Sequence, residues 1–209
     1  MKRSELKELL NDERQELSSF LTTLTAADWE TPSLCDEWSV LDVAGHLASA
    51  VGLTRRGLVA RNLRYGSGTD GANARAAAAW TSRGPDQIVA VLGDPTRLGL
   101  GFFYPAWALC ETVVHHQDIR LGLGRPRTIP ADRLVVALDV LVKLPFITKA
   151  KRHTRKVAMR TTDIDWSHGK GPEVHGPAES LLLALAGRTR AAKGLAGDGT
   201  DTLLGVAVN

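Results

Sequence analysis

The chain lacks most of the patterns that announce a function by themselves. Only two of its 209 residues are cysteines, Cys35 and Cys110. They allow at most one disulfide and exclude zinc-finger spacing or a small stapled scaffold. No apolar run approaches the roughly 18–20 residues of a membrane span. The opening stretch MKRSELKELLNDERQELSSF has no apolar centre of the kind found in secretory signals. There is no CaaX or myristoylation motif, no phosphate loop of the GxxxxGKS/T type and no GxSxG nucleophile elbow. Charge of one sign is also scarce: 26 Lys+Arg face 23 Asp+Glu, a net +3 spread along the chain. That balance points to no nucleic-acid partner. These absences predict a cytoplasmic protein with reduced cysteines, no membrane partner and no nucleic-acid partner.

What is present is ordinary globular material. Hydrophobic residues make up 44 % and charged residues 23 %, enough for a core without staples. Leu6, Leu9, Leu10, Leu17, Phe20, Leu21 and Leu24 follow a helical rhythm over residues 4–24, with Ser4 placed to cap it. Residues 25–38 are turn-rich. Ser39 and Asp42 form a capping-box variant that opens a second helix, extending to about residue 64. Gly66–Gly71 reads as a loop, and helices are expected over 73–80, 85–92, 103–121 and 131–145.

After Lys149 the texture changes. A basic stretch, Lys151 to Lys156, precedes a weakly strand-like segment at 157–163, a turn at 165–172 and a short strand at 173–175. An apolar helix over 178–186 closes at Gly187. The expected fold is mainly α: a helical bundle over 1–146 and a small α/β domain over 147–209.

One constellation carries chemistry. Glu111 and His115 are four residues apart in the helix expected at 103–121, so they share a face. A carboxylate oxygen and an imidazole nitrogen so placed can hold one divalent ion. Asp118, one turn beyond His115, shares that face and can orient it. His46, on the second helix, supplies a third ligand if the two helices pack. Two His and one carboxylate leave a coordination position open, as in catalytic sites. His116 points about 100° away from His115 on a helix, and reads as a surface or packing residue. Tyr104, seven residues before Glu111, and Trp38, before the His46 helix, are candidate pocket walls. Cys110 should face away from Glu111. Trp29 and Trp166 read as packing residues.

The run Trp29-Glu30-Thr31-Pro32-Ser33-Leu34-Cys35-Asp36-Glu37-Trp38 through Gly45-His46-Leu47 resembles the N-terminal signature of the mycothiol-dependent maleylpyruvate isomerase family, part of the DinB-like metal-binding superfamily. Glu111-Thr112-Val113-Val114-His115-His116-Gln117-Asp118 resembles its second signature. Asp165-Trp166, Gly169-Lys170-Gly171-Pro172 and Ala186-Gly187-Arg188 resemble parts of its C-terminal domain. The resemblance implies a DinB-like four-helix bundle with a divalent ion on His46, Glu111 and His115. Zinc is expected and nickel is the alternative. It implies mycothiol as thiol cofactor, with its sulfur at the open position as a metal-bound thiolate. In the isomerase, that thiolate adds to a cis double bond, rotation follows and elimination releases the trans isomer. The resemblance also favours Arg188 as an anchor for a carboxylate-bearing substrate, since a guanidinium grips carboxylates bidentately. A cation favoured at a helix C-terminus is the other reading of Arg188.

Three functions are therefore open. One is a metal- and mycothiol-dependent isomerase or thiol transferase with a small-molecule thiol and substrate as partners. The second is a DinB-like hydrolase or transferase using metal-bound water. The third is a metal or small-molecule binding protein without catalysis. Monomer and homodimer are both open.

Overall fold

The computed structural model describes residues 1–35, 37–53, 56–57, 59–60, 70–143, 154 and 156–205. These residues form two compact units, Met1–Arg127 and Thr128–Asn209.

The first unit is helical. Its elements are α1 (Arg3–Leu21), α2 (Ala26–Glu30), α3 (Val40–Val51), α4 (Asp70–Thr81), α5 (Pro85–Gly93), a 3-10 turn (Gly99–Phe102) and α6 (Pro105–Gly122). Helices α1, α3, α5 and α6 form the bundle: α1 packs on α5 and α6, and α3 on the same two. Leu17, Phe20 and Leu21 of α1, Val43, Ala44 and Leu47 of α3, Ile88 and Leu92 of α5 and Ile119 of α6 form one apolar core. Their 3–4 spacing along each helix puts a single stripe inward. Helix α4 lies along α3. Gly45 permits the approach: a Cβ there would stand 3.1 Å from the Ala77 carbonyl oxygen.

The expected capping box at Ser39 forms. The Asp42 carboxylate accepts the Ser39 N–H at 3.0 Å, and Ser39 Oγ accepts the Asp42 N–H at 3.2 Å. At α1 the expected cap does not form. Lys2 is the capping residue, because Glu5 reaches back to its backbone N–H at 2.8 Å. The stretch read as turns contains α2, a five-residue helix opened by the Thr25–Asp28 capping box. Helix α3 ends at Val51. The expected continuation to 64 falls partly outside the described residues, as does most of the basic stretch at 151–156; of the loop expected at Gly66–Gly71, residues 66–69 lie outside them and Asp70 and Gly71 belong to α4.

The second unit begins with α7 (Ala131–Lys143). A sheet follows, with β1 (Ala158–Thr161), β2 (Ser167–Gly169) and β3 (Glu173–Gly176), then α8 (Ala178–Leu185) and α9 (Thr200–Leu204). Strand order is β2-β1-β3. Met159 pairs with His168 in the antiparallel ladder and with Val174 in the parallel one. The stretch 165–172, expected as a turn, supplies β2, and α9 lies in what read as an irregular tail. The division after Arg127 differs from the boundary expected at 146, because α7 packs on α8 of the second unit. Trp166, buried, donates from Nε1 to Asp139 on α7 at 3.0 Å and ties the sheet region to that helix. The fold class is as expected: mainly α, with a small C-terminal α/β part.

Candidate metal centre

Helices α3 and α6 bring together the three donors proposed from the sequence. Glu111 Oε2 lies 3.5 Å from His46 Nε2 and 3.8 Å from His115 Nε2. One ligand atom from each of His46, Glu111 and His115 falls within 4.8 Å of the other two. Donors around a tetrahedral ion with bonds near 2.1 Å stand about 3.4 Å apart. The donor set therefore fits one divalent ion in both spacing and chemistry: two neutral imidazoles and a carboxylate.

Each ring is held. The His115 Nδ1–H donates to Asp118 Oδ2 at 2.9 Å, and Asp118 is fully buried. That bond fixes the tautomer and leaves the Nε2 lone pair facing Glu111. The His46 ring sits edge-on between Trp38, at a centroid distance of 5.3 Å, and His115, at 5.1 Å. Trp38 thus stands against the His46 ring.

The loop before α3 is pinned to α6. Leu34 N–H donates to the Asp118 carbonyl at 3.1 Å. Gly122 lies so close to the loop that a Cβ would stand 2.7 Å from the Pro32 carbonyl oxygen. This docking places Cys35 beside His115 and Asp118, in a second, overlapping group of donor atoms within 4.8 Å of one another. Both cysteines are free. Cys110 is buried, and burial first, then the Glu111 charge, pushes its thiol far up.

His116 resolves as the packing residue it could have been, and no part of it is at the surface. It is wholly buried; its Nδ1–H donates to Glu13 at 2.8 Å and its Nε2 accepts from Arg120 Nε at 3.2 Å. Both ring nitrogens are used as in a neutral imidazole. Burial holds its pKa below the ordinary histidine value, against the opposing hydrogen bond to Glu13. Arg127 closes the network, paired to Glu13 and, at 2.9 Å, to Glu16.

Tyr104 is not brought to the metal face. It precedes α6 with φ −131° and ψ 62°, outside the helix, and is 59 % exposed. The aromatic wall is Trp107 instead. With His46, Glu111, Leu10, Arg14 and Leu100 it lines a small pocket. Neither Trp107 nor Arg14 was singled out from the sequence. For Arg14 a signal existed, since a charge interrupts the apolar stripe between Leu10 and Leu17. Arg188 lies in the second unit, just past α8. Its backbone N–H bonds the Leu183 carbonyl at 2.8 Å, and Gly187, at φ +84°, bonds Ala184. This is a Schellman termination. Its Nη1 donates to the Ala186 carbonyl at 2.5 Å.

Residues 10–70 match the family model for the mycothiol maleylpyruvate isomerase N-terminal domain. No curated protein matches the chain. Among solved structures, that of the mycothiol-dependent maleylpyruvate isomerase is similar, with a TM-score of 0.64 at 14 % identity, over 95 % of this chain and 93 % of that one. A histidine-to-alanine mutant of that enzyme is similar at a TM-score of 0.62 and 15 % identity, over the same shares. Residues 10–70 thus match that family model, and the chain shares the fold of that isomerase.

Proposed function

We propose that the protein is a metal- and mycothiol-dependent enzyme, an isomerase or thiol transferase acting on a small, carboxylate-bearing substrate in the cytoplasm. The observation that carries the reading is the convergence of His46, Glu111 and His115, one ligand atom of each within 4.8 Å of the other two, in a chain with the isomerase fold. His46, Glu111 and His115 would hold the ion, with zinc favoured by the donor set and nickel the alternative. When bound, a divalent ion supplies a Lewis-acid position at which a thiol is deprotonated at neutral pH. The chain's own groups do the rest. Asp118 holds the His115 ring through its Nδ1–H, and Trp38 restricts the His46 ring. Apolar side chains, Leu10, Leu47, Leu100 and Trp107 among them, line the pocket beside His46 and Glu111. Arg188, past the end of α8, is assigned the substrate carboxylate.

Elemental analysis of protein purified without added metal tests the first part: about one divalent ion per chain is expected. His46→Ala and Glu111→Ala should each lose it, and full occupancy in both variants overturns the site. Thermal shift of the metal-loaded protein with mycothiol tests the second part. A ligand at a hundred times its Kd stabilises by about 2.7 kcal/mol, so a clear rise in Tm is expected. Bound metal with no shift at millimolar mycothiol overturns the thiol reading and leaves metal-bound water in its place.

A further inference from the structure

We infer that Cys35, His115 and Asp118 form a second metal seat, selective for a soft, thiophilic divalent ion, and that filling it takes His115 away from the first. The seat stands on its own three donors. Only the exclusion of the first ion rests on the reading of His46, Glu111 and His115 as a metal centre.

One ligand atom from each of Cys35, His115 and Asp118 lies within 4.8 Å of the other two. Around a tetrahedral ion with a sulfur bond near 2.3 Å and a nitrogen bond near 2.1 Å, the two donors stand about 3.6 Å apart, so modest side-chain rotation completes the set. The donors come from two segments fixed to each other. His115 and Asp118 lie one turn apart on α6, and the loop that carries Cys35 is tied down around it. Ser33 Oγ accepts the Cys35 N–H at 3.1 Å, the Trp38 N–H donates to the Cys35 carbonyl at 3.0 Å, and the Leu34 N–H donates to the Asp118 carbonyl at 3.1 Å. Asp118 has no exposed surface and Cys35 is half-buried.

The two seats differ in softness and in charge. Two imidazoles and a carboxylate leave a divalent ion with a positive charge in excess at the first. A thiolate, an imidazole and a carboxylate neutralise it at the second, and a neutral complex is the less costly one around a wholly buried carboxylate. Thiolate ligation also favours the softer ion of a pair, cadmium over zinc. The seats exclude each other through His115. Asp118 Oδ2 stands 2.9 Å from its Nδ1, so an ion bound to that oxygen and that nitrogen takes the place of the Nδ1 proton. A neutral imidazole then carries its proton on Nε2, and Nε2 no longer offers a lone pair toward Glu111. The Cys35 thiol proton leaves to solvent as the sulfur ligates. One chain thus holds an ion in either seat, and a soft ion silences the first.

The test uses the full chain stripped of metal, with no small thiol present, and two probes, cadmium and zinc. Cadmium should give a thiolate-to-metal charge-transfer band in the ultraviolet that saturates at one ion per chain. Cys35→Ser should abolish the band, and Cys110→Ala should leave it. Asp118→Asn should weaken cadmium about tenfold, more than it weakens zinc. Added to the zinc-loaded chain, cadmium should displace the zinc as the band grows, read by elemental analysis of the desalted protein. Glu111→Gln separates the two readings: it should weaken zinc and leave the cadmium band in place. No band at one equivalent of cadmium, or a band that survives Cys35→Ser, overturns the inference. So does a band that grows while zinc stays at a site that Glu111→Gln weakens. A cadmium band with zinc binding unmoved by Glu111→Gln overturns the first seat alone; zinc weakened by Glu111→Gln with no cadmium band in the wild type overturns this inference alone.

Discussion

His115 and Asp118 lie one turn apart on α6, joined by a 2.9 Å hydrogen bond from the imidazole Nδ1–H to a carboxylate with no exposed surface. The bond aims His115 Nε2 toward Glu111 and prevents the ring from turning its other nitrogen inward. The same residue's backbone carbonyl accepts the N–H of Leu34, so Asp118 couples the ligand to the loop that precedes α3.

Asp118→Ala should therefore lower metal affinity about 10- to 100-fold, the usual cost of losing such a partner. Asp118→Asn keeps an acceptor for Nδ1–H and should lose less. Competition with a chelating dye measures both. Equal affinity in Asp118→Ala and wild type would show that the ring needs no such support.

The two adjacent histidines of α6 have opposite duties. His115 faces Glu111 and the His46 ring of α3, and His116 faces Glu13 of α1. Glu13 carries no exposed surface, and Arg127 only 5 % in its side chain. Glu13→Ala would leave the Arg127 guanidinium with Glu16 alone and a buried imidazole N–H unmet. Breaking a buried pair from one side costs about 3–5 kcal/mol, and urea unfolding should show a loss of that order. Glu13→Gln retains one acceptor and should cost less. Because the network lies on the α1 side of α6, metal affinity at a temperature where Glu13→Gln stays folded should be close to wild type.

The legible parts of the site were those written in one helix. Glu111, His115 and Asp118 follow from 3–4 spacing alone, and the capping box at Ser39 locates the start of the helix that carries His46. Tyr104 misled because the same spacing was extrapolated past Pro105, where the helix begins. Arg14 sits in the inward stripe, yet its partners are carbonyls of residues 91, 94 and 97, which converge only when the end of α5 folds against α1. The α7 helix has a pattern that suits either unit; its contacts with α8, which nothing local encodes, decide the matter.

Two glycines separate helix propensity from steric fit. Replacing Gly by Ala in a helix is worth up to about 1 kcal/mol. At Gly71, in α4, a Cβ meets nothing within 4 Å, so Gly71→Ala should raise stability by roughly that amount. At Gly122 a Cβ would stand 2.7 Å from Pro32 O and 2.8 Å from Ser33 Cα, both backbone. Clashes of this kind cost about 1–3 kcal/mol, so Gly122→Ala should be destabilising on balance. It should also disturb the loop that carries Cys35 and Trp38. The Tm values and the Trp fluorescence of the two variants should move in opposite and separate ways: up with unchanged emission for Gly71→Ala, down with altered emission for Gly122→Ala.

Arg188 separates a structural role from a binding role. The termination of α8 uses backbone groups: Arg188 N–H to Leu183, and Gly187 N–H to Ala184 at 3.0 Å. These bonds are indifferent to the side chain. The guanidinium contact to the Ala186 carbonyl adds a cation at a helix end, worth about 0.3–1 kcal/mol when exposed, and a lysine there keeps the charge. Arg188→Lys should thus leave Tm and metal content nearly unchanged. If the planar fork grips a substrate carboxylate, the same variant loses the bidentate geometry. Its affinity for a carboxylate-bearing substrate should then fall while affinity for the methyl ester stays level. A variant that binds acid and ester as the wild type does would assign Arg188 to the helix end alone.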